Sequence, residues 1–235
     1  HRDRLDTVDE PLFVEKYFGK EGLFRTGLEL TNFLPPLADL LTQEITLGVM
    51  EGGIGEEGTL FGTTRRRPSF YSHLKNFWDV SDKTNFELGT TWLTGSNDDD
   101  GDYEVNASGT EAPLVHYVTP NNRVKWQSEA YFQFRDETAS GLSDNPLGVY
   151  SLLDYRLNPR FGIGGRFDYV EPVDNPATSP RDADTSFSTY LTLYQSEFAR
   201  WRAQYKHTEN AVGDNEDQFL LQGTVAIGVH KHQLQ

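Results

Sequence analysis

The sequence predicts an all-β fold: an antiparallel, up-and-down transmembrane β-barrel with about 11–12 strands. Three observations predict it. Residues 124–135 place Val124, Trp126, Ser128, Ala130, Phe132 and Phe134 on one face. Lys125, Gln127, Glu129, Tyr131, Gln133 and Arg135 fall on the other, because strand side chains alternate. Such a strand is about twice the usual soluble length and crosses a bilayer at a tilt of about 45°. Second, aromatic residues make up 13% of a chain whose mean hydropathy is only −0.61. A barrel uses them as girdles at the two membrane interfaces. Third, the loops alternate in length: short near 35, 81, 121, 158 and 196, long near 60, 98, 140, 177 and 212. Outer-membrane barrels have short periplasmic turns and longer external loops, whereas a soluble sandwich has no reason to sort loops by parity.

The elements follow in order. Residues 1–26 read as an irregular lead-in or external loop, acidic at first, then Pro11, then aromatic around Phe13, Tyr17 and Phe18. Residues 27–34 form a first strand, stopped by Pro35 and Pro36, which remove ladder donors. Residues 44–50 form a second, with Ile45, Leu47 and Val49 on one face. A Gly-rich loop over 51–68 ends in Arg65, Arg66, Arg67 and Pro68. Strands follow at 70–78 and 85–93, joined by a short turn at 79–83. A weaker strand over 103–118 is expected to be broken by Gly109 and Pro113. After 124–135 come strands at 149–157, 161–169, 187–194, 198–207 and 218–229.

Composition narrows the function. The 235 residues suffice for one domain spanning 1–235, and with 36% hydrophobic residues no run of about 20 apolar residues exists. That excludes an α-helical membrane protein. A large soluble β-sandwich is the alternative fold. There is no cysteine, so neither a disulfide framework nor a thiolate metal site exists. The net charge of −15 argues against a nucleic-acid partner. His1 opens a charged segment without a signal peptide, so a barrel reading expects an exported, mature chain. Eleven strands is an odd number, and bacterial barrels have even ones. Further N-terminal strands are therefore expected in the native protein. A complete gene product of 26.7 kDa would count against that.

The candidate pore-lining residues are Lys125, Glu129, Arg135, Asp154, Arg156, Arg166, Asp168, Arg200, Arg202 and Lys206, joined by Arg160, Glu44 and Glu87. Rings of Arg and Lys favour anions and acid rings favour cations. The competing reading is a mixed ion-pair network that fills and stiffens the lumen. Asp98, Asp99, Asp100 and Asp102 suggest Ca²⁺ but lack EF-hand spacing, so a solvated acidic loop is the plainer reading. Arg65–Arg67 suit lipopolysaccharide phosphates or a constriction. His230 and His232, with His207 or His116, are weak Zn²⁺ ligands. No nucleophile elbow, P-loop or dinucleotide fingerprint is present, and Gly162 and Gly164 read as relief of crowding inside the barrel. No metal, cofactor or catalytic residue is assigned.

Several segments carry a resemblance: LDTVDEPLFVEKYFGKEG (5–22), GLELTNFLPPL (27–37), LKNFWDVSDKTNFELGTTWLTG (74–95), FGIGGRFDYVE (161–171) and QSEFARWRAQYKHTEN (195–210). They resemble Gram-negative outer-membrane proteins labelled porin-like or TonB-dependent-receptor-like. The plan is also similar to phosphate and carbohydrate porins of about 16 strands. In that group the 5–22-like segment follows several N-terminal strands. The resemblance implies a barrel in the bacterial outer membrane, in contact with lipid and lipopolysaccharide, with a homo-oligomer by analogy. One departure is the C-terminus, HKHQLQ, where such barrels end in an aromatic residue. The expected work is passive diffusion of small hydrophilic solutes by a protein that is not an enzyme. A structural barrel that anchors a surface assembly is second, and an outer-membrane hydrolase third. TonB-coupled uptake is not expected, since the chain offers no globular plug domain.

Overall fold

The computed structural model describes residues 5–19, 22–23, 25–35, 41–52, 59–63, 66–136, 143–173, 182–196 and 198–225. Alternation of side chains builds the strands β1 (Gly27–Phe33), β2 (Leu41–Met50), β3 (Ser69–Ser81), β4 (Thr84–Ser96), β5 (Glu104–Thr119) and β6 (Asn122–Asp136). They continue as the two-residue β7 (Ser143–Asp144), β8 (Leu147–Arg156), β9 (Phe161–Val170), β10 (Asp184–Tyr194), β11 (Ala199–Glu209) and β12 (Glu216–Val225). Every neighbour in the sheet is the neighbour in sequence, apart from β7, which pairs beside β8 on β6. All pairings are antiparallel, so the fold is an up-and-down all-β meander. Among the described residues the sheet is not closed: β1 pairs only with β2 and β12 only with β11.

Because the strands run up and down, loops fall alternately at two ends. One end carries the tight connections 82–83, 120–121, 157–160 and 195–198. The other carries 51–68, 97–103, 137–146, 171–183 and 210–215. The turn at 157–160 is held by the Asn158 side chain, which accepts from the Arg160 and Phe161 backbone N–H groups at 2.8 and 3.0 Å. Four of the five connections expected to be short are tight; the one expected near 35 instead spans 34–40, as long as 97–103 at the other end.

The two faces have opposite character. On β10, Ser186, Ser188, Tyr190 and Thr192 are buried while Phe187, Thr189, Leu191 and Leu193 are exposed. On β11, Arg200, Arg202, Gln204 and Lys206 are buried while Trp201 and Ala203 are exposed. On these two strands the inner face is polar and covered, and the outer face is largely apolar and bare. On the outer face aromatic residues bracket smaller ones along β4, β6 and β9. Phe86 and Trp92 flank Leu88 and Thr90 on β4, Trp126 and Phe132 flank Ser128 and Ala130 on β6, and Phe161 and Phe167 flank Ile163 and Gly165 on β9.

Two expectations need correction. β5 is one unbroken 16-residue strand rather than a weak, interrupted one. Pro113 is tolerated because it pairs with Gln127 of β6, while the β4–β5 register passes from Phe86↔Leu114 to Gly89↔Glu111 without it. A residue lacking a donor fits where the ladder is already open. Gly109 is required because the Tyr131 ring lies where its side chain would be.

The second correction concerns the lead-in. Residues 12–18 form a helix, α1 (Leu12–Phe18), between Pro11 and Gly19, the latter at φ +87°. Proline before a helix and glycine after it are ordinary boundaries. Leu12, Phe13 and Tyr17 of α1 are buried with Tyr150, Leu152, Val170 and Tyr190. The lead-in is thus folded against the inner face of the sheet. Each such buried side chain contributes about 1.5–3 kcal/mol before ordering costs. The expected strand beyond Val225, Pro36, Arg65, His230 and His232 lie outside the described residues.

Candidate functional site: the inner face of the sheet

The inner-face residues divide into a covered basic half and an open acidic half. The basic half lies on β6 and β8–β11. Its geometry follows from strand parity: Arg166 and Asp168 are two apart on β9, and Arg202, Gln204 and Lys206 are successive inward positions on β11.

Residues 5–10 cross this half. The Asp9 carboxylate accepts from Arg166 at 3.1 Å, Lys206 at 2.9 Å and Gln204 at 2.6 Å. Arg166 also donates to Asp168 at 2.8 Å, the Thr7 hydroxyl at 2.7 Å and the carbonyls of Asp9 and Glu10. Arg202 donates to the carbonyls of Leu5 and Thr7 at 2.6 and 2.8 Å. Lys125 pairs with Asp6 at 2.7 Å, and Lys16 of α1 with Asp184 at 3.0 Å. The Leu12 N–H donates to Asp168 at 3.0 Å, which fastens the start of α1. Arg166 and Arg202 are each only 1% exposed. Burial alone would raise the pKa of Asp9, but the guanidinium of Arg166 and the ammonium of Lys206 hold it below the ordinary carboxylate value. At the base of α1, the Tyr17 hydroxyl donates to the Glu171 carbonyl at 2.8 Å.

The remaining basic residues are also engaged. Arg135 donates to the carbonyls of Thr59 and Leu60 and to Gln133. Arg156 lies 4.5 Å over the Tyr194 ring and donates to the Pro159 carbonyl. Arg200 is buried on the same face. Asp154 accepts from the Tyr190 hydroxyl at 3.0 Å. Arg160 departs from expectation, since it sits exposed in the 157–160 turn.

The open half lies on β1–β6. Glu29, Glu44, Glu87, Glu111 and Glu129 share its inner face with Lys75 and His73. Lys75 pairs with Glu87 at 3.0 Å, and His73 lies 3.5 Å from Glu111. Glu111 and Glu129 are directly opposite across β5 and β6. Glu129 accepts from Tyr150 at 2.6 Å and Gln127 at 2.9 Å, and Tyr71 donates to Glu29. Between this face and α1 is a cavity of about 500 Å³.

The structure therefore gathers the sequence-predicted residues other than Arg160 on one face, with Glu44, Glu87 and Glu129 in the open half and the rest in or beside the covered half. Sequence reasoning missed Asp6, Asp9, Lys16 and Gln204, which tie the lead-in down, and Glu111. The available signal was complementary charge: an acidic stretch before Pro11 and a basic row on β11. Of the two glycines expected to relieve crowding, Gly164 does so beneath the Tyr190 ring, while Gly162 has ordinary clearance.

Among the described residues no three His, Cys, Asp or Glu side chains are placed to hold a metal. Asp98 spends its carboxylate on the backbone N–H groups of Asp100, Gly101, Asp102 and Tyr103 at 2.9–3.1 Å. His207 pairs with Asp217 and His116 with the Thr84 hydroxyl. The chain matches no protein-family model and no curated protein.

Proposed function

We propose that this chain belongs to an outer-membrane β-barrel pore through which small hydrophilic solutes diffuse passively. The observation that carries the reading is the reversed polarity of the sheet. Buried Arg, Asp, Gln, Ser and Thr line one face, and Phe, Leu and Trp stand bare on the other. In water such a face would cost far more than a soluble domain retains. Against hydrocarbon it is the favourable arrangement, with polar residues turned to a lumen. The bracketing aromatics and the sorted loops fit the same placement, with short turns periplasmic and long loops external.

In this reading strands beyond β1 and β12 complete the wall. Segment 5–19 narrows the lumen from one side, and solutes pass the open half on β1–β6. Size is set by that segment and charge by the side chains opposite it. The narrowing element is a short chain segment rather than a globular plug, so no energised uptake is invoked. No residue is assigned a catalytic role, and the bilayer and its lipopolysaccharide are the expected surroundings.

A second reading, a closed barrel that anchors a surface assembly, is favoured by the density of ion pairs around Asp9. Planar-bilayer recording of the purified native protein separates the two. Stable current steps that grow when residues 5–19 are deleted support the pore. A silent membrane with and without that segment supports the anchor.

A further inference from the structure

The geometry points to the cavity between α1 and β1–β6 as a binding site for a small organic cation, a primary amine carried on an aromatic or aliphatic body. Its volume of about 500 Å³ falls in the range of small-molecule sites. The wall is mostly ring and hydrocarbon. Phe13 and Phe18 of α1 lie 5.2 and 5.3 Å from the Tyr131 ring, and Tyr71 faces them from β3. Aromatic faces attract a cation and have no such affinity for an anion.

Charge selects the same sign. Glu29 and Glu129 line the cavity, and Glu111 stands directly across from Glu129. Like charges opposite one another on neighbouring strands are unfavourable unless a cation lies between or beside them. Among the described residues the cations nearby are already committed. Lys75 is bound to Glu87, His73 faces Glu111 and the Thr91 hydroxyl, and Arg25 at the rim turns to the Gly52 carbonyl and the Phe61 ring. Across the lumen, Arg166, Arg202, Lys125 and Lys206 are spent on segment 5–10. Among the described residues an anion finds no comparable partner, whereas an ammonium meets carboxylates and rings together.

Binding is independent of conductance, so the test is made on detergent-purified protein. Isothermal titration calorimetry compares 2-phenylethylammonium with 3-phenylpropionate, an anion of similar shape. The ammonium is expected to bind at least about tenfold more tightly, a difference near 1.4 kcal/mol. Glu129→Gln and, separately, the exposed Glu29→Gln are each expected to weaken it about fivefold while circular dichroism stays unchanged. Equal or preferred binding of the carboxylate, no detectable ammonium binding at millimolar concentration, or unchanged affinity in both correctly folded variants overturns the proposal.

Discussion

At the scale of single residues, Asp9 holds the lead-in in place. Among the described residues it is the one carboxylate that meets Arg166, Lys206 and Gln204 together. Removing it leaves two buried cations facing each other without their shared partner. Asp9→Ala is therefore expected to cost about 3 kcal/mol and to expose segment 5–19 to protease, read by limited proteolysis and thermal unfolding. The same residue predicts a pH response. Its folded pKa lies below the ordinary value of 3.8. The stability it contributes is thus complete above that ordinary value and is lost as pH falls through the lower folded one. Acidification below about pH 4 should release the segment, seen as new cleavage or a rise in current, and Asp9→Asn should remove that step.

At the scale of elements, the inner glycines make room for rings from the next strand. Tyr131 covers Gly109, Tyr71 covers Gly48 and Tyr190 covers Gly164. Gly109→Val is expected to cost about 1–3 kcal/mol by overpacking. In a Tyr131→Ala background that cost should shrink, and a double-mutant cycle measures the difference. The outer face makes the opposite demand. Leu191 sits mid-strand on β10, bare and flanked by Thr189 and Leu193. Leu191→Arg should destabilise protein folded into vesicles by about 2–4 kcal/mol. The same change at a water-exposed site would be nearly neutral.

The strands were legible in the sequence because a two-faced strand writes its period directly into neighbouring residues, as in 124–135 and Phe161–Val170. The breaks expected in β5 at Gly109 and Pro113 are absent because the Tyr131 ring fills the space over Gly109 and the ladder to β4 opens beside Pro113, contacts with other strands that the local sequence does not record. The lead-in was illegible for a different reason. Arg166 and Asp9 are separated by 157 positions, and no local pattern records a contact of that span.

At the scale of the whole molecule, the account rests on which way the sheet faces. Polar side chains converge inward on a chain segment and a cavity, and the apolar ones have no protein cover among the described residues. The four tryptophans supply a built-in probe, since Trp78, Trp92, Trp126 and Trp201 all fall on the outer face by strand parity. Tryptophan fluorescence of the purified protein in vesicles, with and without lipids brominated along the acyl chain, reads their surroundings without any substitution. Strong quenching by bromolipid with blue-shifted emission is the predicted result. Unquenched, water-like emission from a folded protein would contradict the account.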